Sequence, residues 1–203
     1  MKTAFIPEVI DGFSSIGQFA ILKIDSVNWE KEYPYKPEVK AYVAHSKTSI
    51  LIRFYVREEN AKAVTLENNG PVWEDSCVEF FVKVPGSKYY FNFETNCIGA
   101  GLSAKRLSRT EFTFFTPEQM ERVKKVSSLP KKACDIKGES EWTLDIEIPF
   151  DLIDCNECPK ELLSNFYKCG DKTDKPHYLS WNPIDLPKPD FHRPEFFGKL
   201  VLE

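Results

Sequence analysis

CVEFFVKVPGSKYYFNFETN, residues 77–96, is the stretch whose reading decides the fold. Two runs rich in Val, Phe and Tyr, 77–84 and 88–96, flank the triplet Pro85-Gly86-Ser87. β-Branched and aromatic side chains suit a pleated strand, and a short Pro/Gly/Ser break between two such runs predicts a hairpin. Successive side chains point to opposite faces of a strand. Val78, Phe80, Val82 and Val84 therefore share one face, and Cys77, Glu79, Phe81 and Lys83 the other. In the second run, Tyr89, Phe91 and Phe93 oppose Tyr90, Asn92, Glu94 and Asn96. One face of the hairpin is expected in a core and the other, largely polar, outside it.

The same signal recurs along the chain and predicts further strands at roughly 39–46, 49–57, 141–149, 163–169, 177–182 and 196–202. Within 49–57, Ile50, Ile52, Phe54 and Val56 form a core face, and Leu51, Arg53, Tyr55 and Arg57 the reverse. The one helix candidate is 117–126, with Thr116 as N-cap and Pro117 at the first helical position. Many strands and one short helix predict an all-β fold, a two-sheet antiparallel β-sandwich of jelly-roll or immunoglobulin-like type. No linker, charge block or repeat divides the chain, so residues 1–203 are expected to form a single domain. If these strands share a sheet, its outer face gathers Arg53, Tyr55, Glu79, Tyr90, Asn92 and Glu94.

Composition narrows the partners. With 42% hydrophobic, 29% charged and 14% aromatic residues, the chain reads as a soluble globular protein rich in rings. A formal net charge of −4, with lysines and arginines scattered, leaves no basic stripe for nucleic acid. No segment approaches a membrane span, and the first residues lack the apolar run of a signal peptide. The chain as it stands is thus expected in the cytoplasm; a leader trimmed upstream of Met1 would move it to the periplasm or outside the cell. The six cysteines, Cys77, Cys97, Cys134, Cys155, Cys158 and Cys169, read as free thiols, since a domain of this size folds without disulfides.

Residues 165–198 hold seven aromatic residues, two of the three histidines and five of the fourteen prolines. Prolines fix φ and lower the entropy of the open loop, so Tyr178, Trp181, Phe191 and His192 can be held in place without a surrounding helix. A preformed aromatic loop suits a flat ligand.

Two blocks, PVWEDSCVEFFVKV at 71–84 and HRPEFFGKLVLE at 192–203, resemble the family 9 carbohydrate-binding modules, and especially the stand-alone proteins of that kind in polysaccharide-degrading gut bacteria. The shared features are Trp73, the acidic pair Glu74-Asp75, Val78-Glu79-Phe80-Phe81, and the closing Pro194-Glu195-Phe196-Phe197-Gly198. Residues 102–139 match least. The resemblance implies a β-sandwich that binds a mono- or oligosaccharide, a chain end among the candidates, without catalysis and in polysaccharide utilisation. A pyranose offers an apolar C–H face and a rim of hydroxyls that donate and accept. Trp73 and Trp181 are the expected platforms. Arg53, Tyr55, Glu79, Asn92 and Lys168 are the expected polar partners, since charged groups form the stronger hydrogen bonds. Structural roles compete for several of them: Trp73 as a core plug, Glu79 paired with Arg53 across strands, Lys168 and Asp171 capping their turn, His192 locking the last loop.

Other chemistries fit less well. Cys155 and Cys158 have metal or redox spacing, but no second pair follows at finger-like distance. Haem is not expected, because Met120, within the helix candidate, is the sole methionine besides Met1. Glu74 and Asp75 could lend oxygens to calcium, though without an Asp-x-Asp-x-Asp loop, and no cofactor is expected. Glycoside hydrolysis needs two carboxylates about 5–10 Å apart, which Glu79 and Glu94 on adjacent strands could supply. That enzymatic reading, and a module that docks proteins through an exposed aromatic patch, are the alternatives.

Overall fold

The computed structural model describes all residues, Met1–Glu203. Its strands are β1 (Thr3–Ile6), β2 (Ala20–Lys23), β3 (Ser26–Val27), β4 (Glu38–His45), β5 (Ser49–Ala63), β6 (Cys77–Lys83), β7 (Tyr90–Asn96), β8 (Gly101–Arg106), β9 (Phe112–Phe114), β10 (Lys124–Ser127), β11 (Cys134–Pro149), β12 (Glu161–Cys169), β13 (Tyr178–Ser180) and β14 (Gly198–Leu202). One sheet has nine strands, in the order β1-β14-β12-β6-β7-β8-β9, with β13 beside β12 and β3 beside β13. The other has five, β10-β11-β5-β4-β2. Only β1 and β14 pair in parallel. The hairpin read from 77–96 is β6 and β7, at the middle of the larger sheet.

The two sheets enclose the main core. Ile50, Ile52, Phe54 and Val56 of β5 pack with Val78, Phe80 and Val82 of β6, Phe91 and Phe93 of β7, and Trp142, Leu144 and Ile146 of β11. Each such apolar side chain removed from water contributes about 1.5–3 kcal/mol, so the alternation seen in the sequence is what drives the sheets together. The long partners β5 and β11 stay in register except between Lys137 and Ser140, where Gly138 takes a positive φ of 80° that an L side chain would resist.

The helix, α1 (Pro117–Arg122), starts where expected. The Thr116 hydroxyl accepts the Gln119 amide at 3.3 Å and the Gln119 side chain accepts the Thr116 amide at 2.9 Å, a reciprocal cap. It stops short of the expected 126 because β10 joins the edge of β11 from Lys124 onward.

The outer face of the larger sheet departs from expectation. Rather than lying open to solvent, it carries a second apolar cluster in which Phe81, Tyr90 and Tyr167 from the sheet meet Trp29, Phe191 and Phe197. The Trp29 indole donates to the Leu186 carbonyl at 2.8 Å, tying two covering loops together. Residues of β6 and β7 are consequently buried on both faces almost throughout.

One expectation about this face is overturned. Arg53 and Tyr55 do not share it with Glu79 and Asn92, because β5 pairs with β4 and β11 and so belongs to the opposite sheet. Their side chains emerge on the far side of the molecule.

Candidate functional site

Where the covering loops part, a cleft of about 590 Å³ opens onto the outer face of the larger sheet. Glu79 of β6 and Glu94 of β7 line it, directly opposite each other in the antiparallel register. The alternation that sends Val78, Phe80 and Phe93 inward turns both carboxyl groups outward, beneath the loops. They are 3% and 4% exposed. Glu79 Oε1 accepts from the Cys169 thiol at 3.1 Å, and Glu94 Oε1 accepts from Asn92 Nδ2 at 2.9 Å. Asn92 Oδ1 in turn accepts from Arg106 Nε at 2.5 Å, and Arg106 also donates to the Arg109 carbonyl at 2.9 Å. The Arg106 guanidinium is 4.2 Å from the centroid of the Phe112 ring, a cation–π contact that holds it at the side of the cleft.

Aromatic rings form the walls. Trp73 is 38% exposed at the cleft. Tyr33 and Tyr178, also lining it, meet edge to face at 4.8 Å. Phe112 and Phe114 complete the exposed apolar surface.

The electrostatics of the floor follow from burial. Burial pushes the Glu94 carboxyl up to about 7, while Arg106 and the hydrogen bond from Asn92 pull the other way. Burial, then Cys169 and Glu94, hold Glu79 well above the usual carboxylate range. Asp171, just after β12, is raised to about 6 by burial. Desolvation, then Arg106 and Arg109, lower the half-buried His192 to about 3, so its ring is neutral; its Nδ1 is 3.1 Å from the Tyr90 hydroxyl. The cleft thus holds carboxyl groups that readily keep a proton, and a neutral carboxyl both donates and accepts.

The residues singled out from sequence scatter widely. Trp73 and Glu79 line the cleft. Asn92 is fully buried beneath it, spent on Glu94 and Arg106. Arg53, on the other sheet, makes a two-pronged pair with Asp145 at 2.5 and 2.6 Å, and the Tyr55 ring lies under Lys40 Nζ at 5.6 Å.

Lys168 and Trp181 are corrections of a different kind, because both point into the main core. Lys168 is inaccessible, its Nζ 2.9 Å from Glu58 Oε2 and 2.8 Å from His177 Nε2. Trp181 is 5% exposed, edge-on to Phe166 at 5.9 Å, and offers no free face to a ligand. The alternation Phe166-Tyr167-Lys168 already put Lys168 on the inward face with Phe166. Arg106, Arg109, Phe112 and Phe114 fall in the stretch with least family resemblance, and only the Phe-x-Phe alternation of 112–114 hinted at them.

The acidic pair singled out for calcium has partners within the protein. Asp75 accepts from the amides of Val64 and Thr65 and from Asn96 Nδ2, and Glu74 Oε1 lies 2.8 Å from Lys172 Nζ. Beneath the cleft, Cys77, Glu79 and Cys169 place donor atoms within 4.8 Å of one another. Burial pushes the Cys77 thiol up to about 12 and Cys169 well above its ordinary range, which opposes the deprotonation that metal binding needs. None of the six cysteines is in a disulfide.

Comparison with known proteins bears on the whole chain. A solved structure of a proposed carbohydrate-binding protein from Bacteroides uniformis is 38% identical and superposes with a TM-score of 0.93, covering 100% of this chain and 99% of that one. Two structures of a family 9 carbohydrate-binding module from Caldicellulosiruptor kristjanssonii share the fold. The one in complex with glucose has 11% identity and a TM-score of 0.62, covering 100% of this chain and 96% of that one. The one with cellotriose has 10% identity and a TM-score of 0.60, covering 100% and 94%. No curated protein matches the sequence. The sequence profile of carbohydrate-binding family 9 matches residues 6–202. The chain belongs to carbohydrate-binding family 9.

Proposed function

We propose that the protein binds carbohydrate, without turning it over, in the cleft lined by Trp73, Glu79, Glu94 and Tyr178, and that it serves polysaccharide utilisation. The ligand is a mono- or oligosaccharide whose terminal ring enters the cleft. One observation carries this reading: aromatic walls stand over a floor of buried carboxyl groups that retain free oxygen atoms. A pyranose needs an apolar surface for its C–H face and closely placed polar partners for its hydroxyls, and both lie within one cavity. Family membership supports it, as do the fold relatives solved with glucose and cellotriose.

Calorimetric titration of glucose, cellotriose and a wider glycan panel tests it. Trp73→Ala is expected to weaken binding about tenfold, equivalent to about 1.4 kcal/mol, and Glu94→Ala at least as much. Unaltered affinity in both folded variants would move the site elsewhere.

A second reading, glycoside hydrolysis, is favoured by the opposition of Glu79 and Glu94. Directly opposed residues have Cβ atoms about 4.5–5.5 Å apart, close to the roughly 5–5.5 Å between carboxyls of retaining glycosidases. It predicts release of reducing sugar that disappears in Glu94→Gln while binding persists; no release from any bound glycan excludes it.

A further inference from the structure

Glu79 and Glu94 are nine-tenths buried, yet neither has a lysine, arginine or histidine nitrogen within ion-pair distance. Every other buried carboxylate with a role in this fold is answered: Glu58 by Lys168 and the Trp142 indole, Asp75 by two amides and Asn96. At the cleft floor one oxygen of each group is engaged, Glu79 Oε1 by a thiol and Glu94 Oε1 by an amide, while the two Oε2 atoms take no hydrogen bond from the protein. Arg106, whose guanidinium lines the cleft, is committed to Asn92, the Arg109 carbonyl and the Phe112 ring.

From this arrangement, and resting on the carbohydrate reading above, we propose that the cleft selects sugars bearing a free, protonated amino group, the ammonium sitting between Glu79 and Glu94 while the ring lies against Trp73. An ammonium brings three donors and no acceptor, which matches a floor of unanswered acceptors. Hydrogen bonds in which a partner is ionised are roughly twice as strong as neutral ones, and a neutral hydroxyl brings no charge to stabilise the ionised form of these buried carboxyls. Acylation of the nitrogen removes the charge and so the advantage; a uronate meets like charge at the floor.

The groups facing the two carboxyls agree with a missing cation. Cys77 and Cys169 beneath them are neutral thiols, Asp171 beside them adds negative charge, and His192 is neutral. Arg109 lies 3.7 Å from Asp190, and Lys188 sits at the exposed mouth. Burial pushes the Tyr178 hydroxyl up, so it is uncharged at neutral pH. Burial raises both carboxyls, Glu94 to about 7, so seating an ammonium favours their ionised form and expels protons.

The test is calorimetry on the full chain near pH 7 with paired sugars: glucosamine against glucose, galactosamine against galactose, and N-acetylglucosamine as the acylated control. The amine of at least one pair is expected to bind tenfold or more tightly than its neutral partner, less so with added salt. Titrations in two buffers of different ionisation enthalpy should report proton release for the amine alone. In Glu79→Gln/Glu94→Gln the ratio of amine to neutral affinity is expected to shrink to about twofold. Neutral sugars binding as well as amines, or amine binding without proton release, overturns the inference and leaves the carbohydrate reading standing. No binding of any sugar, cellotriose included, overturns that reading itself. Should the double variant fail to fold, proton release by the wild-type chain decides.

Discussion

Phe191 lies flat on Tyr167, their ring centroids 4.1 Å apart and their planes 7° from parallel. The Tyr167 hydroxyl also donates to the Phe191 carbonyl at 3.2 Å, so one residue of β12 holds the proline-rich loop by ring and by backbone. That loop brings Pro189, Asp190 and His192 to the cleft. Phe191→Ala is expected to cost about 3 kcal/mol of stability, the order found for truncating buried aromatics, and to lower glycan affinity by slackening one wall. Urea denaturation alongside calorimetry checks both; an unchanged midpoint would mean the stack does not hold the loop.

Lys168 and Glu58 form an ion pair with side chains 0% and 1% exposed, and the Trp142 indole adds a 2.8 Å bond to Glu58. Removing one partner leaves a buried charge unanswered, at about 3–5 kcal/mol. Lys168→Met should therefore unfold at markedly lower denaturant, while the folded fraction keeps its affinity for glycan. Weakened binding at unaltered stability would instead return Lys168 to the site.

Trp181 and Gly198 are matched in shape. A Cβ on Gly198 would come within 2.5 Å of the Trp181 ring and 2.9 Å of the Lys2 carbonyl, the latter being backbone that cannot swing aside. Gly198→Ala is expected to lower stability by about 1–3 kcal/mol, the usual cost of overpacking, and its thermal midpoint by several degrees. A midpoint equal to wild type would show that the start of β14 accommodates a methyl group.

The cleft carboxyls make stability depend on pH. Glu94 ionises near 4.5 when unfolded but at about 7 when folded, so its contribution is complete below pH 4.5 and is lost as pH rises through 7. A difference of that size corresponds to roughly 3 kcal/mol. His177 and His192 act oppositely: both are depressed by burial below 6.5, and stability falls as pH drops beneath that value. Below pH 6.5 the two effects oppose each other, so urea midpoints should decline between pH 6.5 and 8, and Glu94→Gln should flatten the decline. An identical slope in that variant would assign the effect to other groups.

Much of the architecture was legible locally. Residues 77–96 read as a hairpin because period-two alternation and the Pro85-Gly86-Ser87 break are properties of neighbouring residues, and β6 and β7 follow them closely. The short strands β1, β2, β3, β8, β9 and β10 were not legible, since runs of two to six residues carry too few alternations and owe their form to an adjacent strand. The cleft was half legible. Glu79 and Glu94 could be placed side by side on one face, whereas Arg106 and Phe112 reach it only because β8 and β9 extend the sheet beyond β7.

By itself the sequence determined the β-sandwich class, the inward faces of β5, β6 and β7, and the outward turn of Glu79 and Glu94, because side-chain direction in a strand depends on the parity of neighbouring positions alone. Tertiary structure decided which strands share a sheet, pairing Arg53 of β5 with Asp145 of β11 and so removing it from the Glu79 face. It also decided that loops carrying Trp29 and Phe191 would cover that face, turning a polar surface into a buried floor. Strand partners and loop coverage join residues distant along the chain, and they are selected by the apolar area the whole fold can bury, which no local pattern records.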